Sequence, residues 1–398
     1  MDYENRFSKK AKKITASEIR EILKIVKNGN VISMAGGLPN PKTFPVKTVN
    51  RLASKALEEE GSGMLQYGTT MGNEELRKKI AHRINKKFNT SLDLEQILIT
   101  AGSQQGLFLM GRAFIDESDK VVVSGPTYLA ALTAFNNFSP KYVEIPLDEN
   151  GMKTDLLEER LKEGLNIKYA YTVPTFQNPT GVTMSASRRK ELLRLAEKYD
   201  FLVIEDSPYN ELRYQGSEIN PIISMKSDRV LFLGTFSKIL APGFRIGWVA
   251  GNKKLIRKLE IIKQSIDLCT NTFSQKIIQR YLNTGKIEEQ IKKIKDIYGS
   301  KRELLLKALD EYMPEVVKWT RPKGGMFIWL TLPSEIDTEN MFKKALENEI
   351  AYVPGHTFYA NDEEKNTLRL NFTFVDDTDI EMGIKRLATT INNELDNE

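Results

Sequence analysis

Apolar and polar positions along the chain fall into two textures. Between residues 97 and 234 short, continuous apolar runs recur: ILIT at 97–100, KVVVS at 120–124, KYAYTVP at 168–174, FLVIED at 201–206 and RVLFLG at 229–234. They are rich in β-branched residues and are separated by segments of helical periodicity such as SRRKELLRLAEKY at 187–199. Runs that do not alternate with polar residues are buried on both faces, so the pattern predicts parallel strands covered by helices on each side, an α/β domain. Near residue 280 the texture changes to a long charged helical pattern, IEEQIKKIKDIYGSKRELLLKALDEYM, followed by strand-like GGMFIWLTL, IAYVPG and NTLRLNFTF. This second region predicts a smaller α+β domain.

The amino-terminal stretch TASEIREILKIV predicts a helix: Thr15 and Glu18 have capping-box spacing, Ile19, Ile22, Leu23 and Val26 recur at helical intervals, and Asn28-Gly29 stops it. SMAGGLPNPKTFP, from Ser33 to Pro45, is too rich in Gly and Pro for a regular element and reads as an extended loop. The expected division is 1–45, a helix and loop packed with the small domain and the active site; 46–280, a large α/β domain; and 281–398, a small α+β domain.

Composition narrows the function classes. With 398 residues, 40% of them hydrophobic, the chain can bury large cores, and 58 basic against 53 acidic residues leave a scattered net charge of +5. Only Lys9, Lys10, Lys12 and Lys13 cluster, and they read as a solvated face rather than a nucleic-acid site. A single cysteine, Cys269, read as a core thiol, excludes an intramolecular disulfide framework, and His82 and His356 without an H-E-x-x-H pattern offer no protein-built metal site. No apolar stretch approaches the ~18–20 residues of a membrane span and no signal peptide is visible, so a cytoplasmic location is expected.

Open α/β sheets place ligands beyond the carboxyl ends of their strands. After ILIT comes Ala101-Gly102-Ser103-Gln104-Gln105-Gly106: Ser103 is either a plain N-cap or part of a phosphate-binding helix terminus. The P-loop and dinucleotide-binding fingerprints are absent, so a single phosphate group fits better than a nucleotide. Tyr128, after KVVVS, is a packing residue or a stacking platform; Asn178, heading NPTG after KYAYTVP, is a turn residue or a ligand amide. Glu205-Asp206, closing FLVI, could cap the next element or stabilise a positive charge on a bound ring nitrogen. Lys238, in LFLGTFSKILAPGFRIGWV, either snorkels to water past a strand end or serves as a reactive amine, with Arg245 nearby to neutralise an anion. Amine, carboxylate, aromatic ring, amide, hydroxyl, phosphate nest and arginine at one sheet edge together make up what a pyridoxal phosphate site requires.

The motifs SMAGGLPNP, LQYGTT, AGSQQG, PTYLAA, PTFQNPTG, EDSPY, GTFSKILAPGFRIGW, RPKGGMFIW and NTLRLNF stand in the order found in fold-type I aminotransferases dependent on pyridoxal 5′-phosphate. The chain resembles their class I/II branch of 2-aminoadipate/kynurenine aminotransferases and archaeal multi-substrate and aromatic aminotransferases, from about Arg6 to near the carboxyl terminus. The resemblance implies a mainly parallel central sheet flanked by helices, with a smaller α+β domain. By the same resemblance Lys238 forms the Schiff base with the cofactor, Asp206 pairs with the pyridine nitrogen, Tyr209 and Asn178 hold the ring hydroxyl, and Tyr128 stacks on the ring. Ser103, Gln104, Ser237 and Arg245 bind the phosphate, helped by Tyr67 from a partner subunit, which implies a homodimer. Arg369 binds the substrate carboxylate; Thr367, Arg369 and Asn371 alternate with Leu368, Leu370 and Phe372, so that face is at least polar. Arg20 either meets a distal substrate carboxylate or faces solvent, and Gly36 and Gly37 are expected to leave the pocket roomy. One departure stands out: many relatives carry a second acid where this chain has Ser207.

The implied activity is transfer of the amino group of an L-amino acid (2-aminoadipate, aromatic, kynurenine or branched-chain) to 2-oxoglutarate by a ping-pong mechanism. A lyase or decarboxylase on the same scaffold would use the same lysine and aspartate. A regulator fused to a DNA-binding domain is disfavoured because the family match begins within the first ten residues, and a nucleotide-dependent oxidoreductase because its fingerprint is missing.

Overall fold

Strand direction is what gathers the site in this protein. The computed structural model describes residues 3–12, 14, 18–26, 30–361 and 364–396. The strands are β1 (Ile32–Ser33), β2 (Ile97–Thr100), β3 (Lys120–Gly125), β4 (Lys141–Asp148), β5 (Gly151–Met152), β6 (Tyr169–Thr172), β7 (Leu202–Asp206), β8 (Val230–Thr235), β9 (Gly247–Ala250), β10 (Lys318–Trp319), β11 (Phe327–Thr331), β12 (Ile350–Ala351), β13 (Val353–Pro354) and β14 (Thr367–Asn371). Eight of them form one sheet in the order β2-β9-β8-β7-β6-β3-β4-β5. The pairs β4/β3, β3/β6, β6/β7 and β7/β8 are parallel, whereas β9 runs antiparallel to both β8 and β2. Two reversals restore direction, so β2 points the same way as β8 and the carboxyl ends of β2, β3, β6, β7 and β8 share one edge.

The five apolar runs read from the sequence all form strands, and β2, β6 and β8 are buried at every position because helices cover both faces of the sheet. The hydrophobic pattern left β4 and β9 unread. Strand β4 has only one buried residue, Ile145, near the sheet's margin, and β9 is four residues long and begins with glycine.

The carboxyl-terminal region forms an antiparallel sheet in the order β10-β11-β14-β13. The charged pattern after residue 286 is a helix, Ile287–Tyr312, which packs on the last helix, Asp377–Leu395. β1 pairs in parallel with β12, Ile32 opposite Ile350 and Ser33 opposite Ala351, which ties the amino-terminal segment to the carboxyl-terminal region. The helix Glu18–Val26 buries Ile22 in a small apolar cluster with Ala35, Trp329, Ala351, Val353 and Phe358. Thr15 of the expected capping box and the expected Asn28-Gly29 stop lie outside the described residues. Cys269 is not the core thiol expected: it is half-buried, between exposed Leu268 and buried Thr270.

Candidate active site

Residues from five strand ends line one cavity of about 140 Å³: Ser103 and Gln104 after β2, Tyr128 after β3, Asn178 after β6, Asp206 and Tyr209 at and after β7, and Ser237 and Lys238 after β8. Arg245, just before β9, completes the set. Nine of the residues singled out from sequence therefore meet in one place.

The acids at the end of β7 show how strand alternation divides labour. Glu205 faces away from the cavity, and its carboxylate accepts the backbone N–H groups of Ile222 and Ile223, each at 2.9 Å, at the start of the short helix Ile222–Met225. Asp206 faces the cavity; Oδ2 accepts the Tyr171 hydroxyl at 3.0 Å, and Oδ1 is buried with no hydrogen-bond partner among the described residues. Glu205 thus takes the capping role, and Asp206 is left with one carboxylate oxygen open toward the cavity. Burial pushes the Asp206 carboxyl up to about 7, against the opposing pull of the Tyr171 hydrogen bond and the Lys238 charge. Ser207 follows on the other side of the chain, buried beside Asn210 and Trp248 rather than on this cavity.

Lys238 does not snorkel. Its ammonium donates to the carbonyl of Gly37 at 3.1 Å, and burial, reinforced by the charges of Arg369 and Arg245, lowers it to about 8 despite the nearby carboxylate of Asp206. Burial likewise raises the hydroxyl of Tyr128 to about 12 and that of Tyr209 strongly, so both phenols stay protonated donors at neutral pH.

At the end lined by Ser103 and Arg245, the helix Ser103–Phe114 begins at the cavity after Gly102, whose φ of 75° is left-handed. A side chain there would come 2.6 Å from Nη2 of Arg245, and one at Gly247 would come 2.7 Å from the Gly102 carbonyl carbon and the Ser103 nitrogen. The missing side chains let a guanidinium and a strand close on the helix terminus, whose free N–H groups and dipole attract an anion. Ser237 joins through Thr235, whose hydroxyl donates to Ser237 Oγ at 2.9 Å. The Gln104 side chain donates to the Ala130 carbonyl at 3.0 Å, so its side-chain amide is engaged with the protein and its backbone N–H is what remains at the helix terminus.

Arg369 is buried beside the cavity. It donates to Asn178 Oδ1 at 2.8 Å and to the Ala35 carbonyl at 2.7 Å, and its guanidinium lies 4.4 Å and 4.9 Å from the ring centres of Phe327 and Phe358. Burial lowers it only to about 10, so it remains a cation at neutral pH.

Several sequence expectations are not gathered in. Arg20 is exposed on its helix and is not among the residues lining the cavity. Gly36 does not supply spare room: it is buried, and a Cβ there would press within 3.2 Å of Leu23, while one at Gly37 would come 3.3 Å from Phe327. These glycines permit close packing of the loop, and the Gly37 carbonyl that accepts the Lys238 ammonium borders the site. Tyr67 is 78% exposed, beside Leu65 at 74%, and is not among the residues lining the cavity. Conversely Tyr171, Thr235, Phe327 and Phe358 were not singled out. Tyr171 and Thr235 sit inside strand patterns that read as core, and the aromatic faces around Arg369 come from two different segments, so no local signal marks them.

Among the described residues no helix is long and apolar enough to cross a membrane, and no cluster of three or more metal-ligating side chains occurs.

The sequence profile described as aminotransferase class I and II matches residues 13–387. The aromatic-amino-acid aminotransferase 1 of Thermococcus litoralis is 53% identical over 99% of this chain and 96% of its own length. The crystal structure of Pyrococcus horikoshii kynurenine aminotransferase, in complex with PMP, superposes with a TM-score of 0.96 at 53% identity, covering 99% of this chain and 98% of that one. LysN, the alpha-aminoadipate aminotransferase of Thermus thermophilus, complexed with N-(5′-phosphopyridoxyl)-L-leucine, superposes with a TM-score of 0.93 at 36% identity, covering 100% of both chains.

Proposed function

Since the chain belongs to the class I and II aminotransferase family and is a pyridoxal-phosphate-dependent transaminase, we propose that it moves the amino group of aromatic, kynurenine, 2-aminoadipate and branched-chain L-amino acids to 2-oxoglutarate by a ping-pong mechanism in the cytoplasm. The observation that carries the assignment of residues is the divided carboxylate of Asp206, one oxygen satisfied by Tyr171 and the other buried without a partner. A buried acceptor left open costs free energy unless a donor meets it, and a protonated pyridine nitrogen is such a donor. The residues present therefore fit the cofactor. We assign its ring nitrogen to Asp206, its ring hydroxyl to Asn178 and Tyr209, its ring face to Tyr128, and its phosphate to Ser103, the backbone of Gln104, Ser237 and Arg245.

When bound, pyridoxal phosphate supplies a carbonyl for the substrate amine and a protonated ring that withdraws electrons from Cα. Arg369 orients the substrate by its α-carboxylate, and the faces of Phe327 and Phe358 hold the guanidinium in place. Lys238, with its pKa lowered to about 8, is basic enough to take the proton from Cα and acidic enough to return it, as a general acid–base near neutral pH must. Asp206 keeps the ring nitrogen protonated by staying ionised beside it.

A homodimer completes this reading. Tyr67 and Leu65 project from the subunit, and an open groove lined by Gln104, Gln105, Phe108, Arg245 and Ile266 lies next to the phosphate end. We place Tyr67 of one subunit at the phosphate of its partner, in a chain divided into 1–45, 46–280 and 281–398, with Arg20 available to a distal substrate carboxylate.

The test is a single half-reaction. Holoenzyme mixed with L-kynurenine, L-phenylalanine, L-2-aminoadipate or L-leucine, without oxo acid, should yield one equivalent each of 2-oxo acid and pyridoxamine phosphate, and 2-oxoglutarate should restore the starting spectrum. Release of ammonia or carbon dioxide without pyridoxamine phosphate would instead identify a lyase or decarboxylase.

A further inference from the structure

The turn to which the phosphate is assigned is braced from behind by a charge pair that does not line the cavity. Lys263, at the end of the helix Lys253–Gln264, has a side chain with no solvent exposure, and its ammonium donates to Asp267 Oδ1 at 2.8 Å. The other oxygen, Oδ2, accepts Nε2 of Gln105 at 2.8 Å, and Oε1 of Gln105 accepts the backbone N–H of Ala101 at 2.9 Å. A carboxylate can only accept, so Asp267 fixes which end of the Gln105 amide faces it and leaves the carbonyl end for Ala101. The same turn is held by Thr100 Oγ1, which donates to the Gly102 carbonyl at 2.9 Å, and by Arg245 Nη2, 3.4 Å from the Ala101 carbonyl. A polar chain thus runs from a buried ammonium to the peptide just before the helix terminus.

We propose that Lys263 and Asp267 are positioning residues for the anion site: by locking the Gln105 amide they hold the 101–103 turn where its N–H groups and the Ser103 hydroxyl converge on the cofactor phosphate. The inference rests on assigning the phosphate to that turn. Lys263 engages only one oxygen of Asp267, and the second is committed to the one side chain that reaches back to the turn. Without the pair the Gln105 amide can rotate, and the turn loses its only side-chain hydrogen bond to Ala101 N–H among the described residues.

The test uses apoprotein and three probes: pyridoxal phosphate, pyridoxal, which lacks the phosphate, and inorganic phosphate as competitor. In Asp267→Asn, and in Gln105→Met, which leaves the charge pair intact, affinity for pyridoxal phosphate and for inorganic phosphate should fall about tenfold, the effect of losing one hydrogen bond of about 1.4 kcal/mol. Affinity for pyridoxal should stay within about twofold of wild type. Equal losses for pyridoxal and pyridoxal phosphate, or no loss for either, would overturn the proposal. Ser103→Ala separates the two levels. If it weakens phosphate binding while Asp267→Asn and Gln105→Met do not, the bracing role fails alone; if Ser103→Ala leaves phosphate binding unchanged, the assignment of the phosphate to this turn fails.

Discussion

The hydroxyl of Tyr171 lies 3.0 Å from Oδ2 of Asp206, inside a strand neighbour rather than on a loop, and it is the only side-chain hydrogen bond to that carboxylate among the described residues. It opposes the burial that lifts Asp206 to about 7. Tyr171→Phe should therefore raise the carboxyl further and leave more of it protonated at neutral pH in the cofactor-free protein. Pyridoxal phosphate affinity should fall roughly fivefold at pH 7, for a hydrogen bond of about 1 kcal/mol, and recover toward wild type at pH 9, where the carboxylate ionises in both proteins. Equilibrium titration of apoprotein at the two pH values checks this. A deficit that does not shrink with rising pH would mean that Tyr171 acts by packing alone.

Lys238 has its pKa lowered to about 8, so it is neutral in about a tenth of molecules at pH 7, against about 0.03% for an ordinary lysine. Only the neutral amine attacks a carbonyl. Capture of pyridoxal phosphate by the apoprotein, followed by absorbance, should accelerate with pH and level off above about 8 rather than above 10. In Lys238→Ala the capture band should be absent.

Arg369 is prepared for a planar anion by hydrogen bonds at 2.8 and 2.7 Å and by two aromatic faces. Lysine keeps the charge but not the flat, two-pronged donor geometry or the stacking. Arg369→Lys should lower kcat/KM for amino acids about a hundredfold, the equivalent of about 2.7 kcal/mol of lost charge-assisted binding. Bound cofactor should be retained, as read from its absorbance, because Arg369 is not among the residues lining the cavity assigned to the cofactor.

Tyr67 can be assigned to its subunit with mixed dimers. If the partner's phenol serves each site, mixing inactive Lys238→Ala with cofactor-leaky Tyr67→Phe should restore one complete site, which joins Lys238 of one chain to Tyr67 of the other. Cofactor dissociation from that site should match wild type. Persistence of the Tyr67→Phe dissociation rate in the hybrid would place Tyr67 in its own subunit's site or outside both.

Much of this architecture was legible in the residues themselves. Runs such as FLVIED and RVLFLG cannot be solvated on either face, which forces a covered parallel sheet, and the reactive side chains follow directly at their carboxyl ends because polar atoms cannot continue into that core. Strand β9 escaped notice because four residues starting at glycine carry little pattern, yet its antiparallel insertion beside β8 is what brings Arg245 to the same edge as Ser103. Alternation along β7 could have separated Glu205 from Asp206, but which face held the cavity could not be known until the neighbouring strands were in place.

The sequence by itself determined the inventory and the order of the chemistry: an amine, a carboxylate, an amide and phenols, each tied to a strand end by local hydrophobic pattern, and a guanidinium that follows the amine. Tertiary structure alone decided their states and their supports. Burial, modified by neighbouring charges, brings Lys238 to about 8 and Asp206 to about 7, and Tyr171 acts on Asp206, Phe327 on Arg369 and Asp267 on Gln105 across long stretches of the sequence. The reason is physical: covalent neighbours determine which groups reach an edge, whereas desolvation, charge and hydrogen bonding depend on whatever distant segments the fold packs against them.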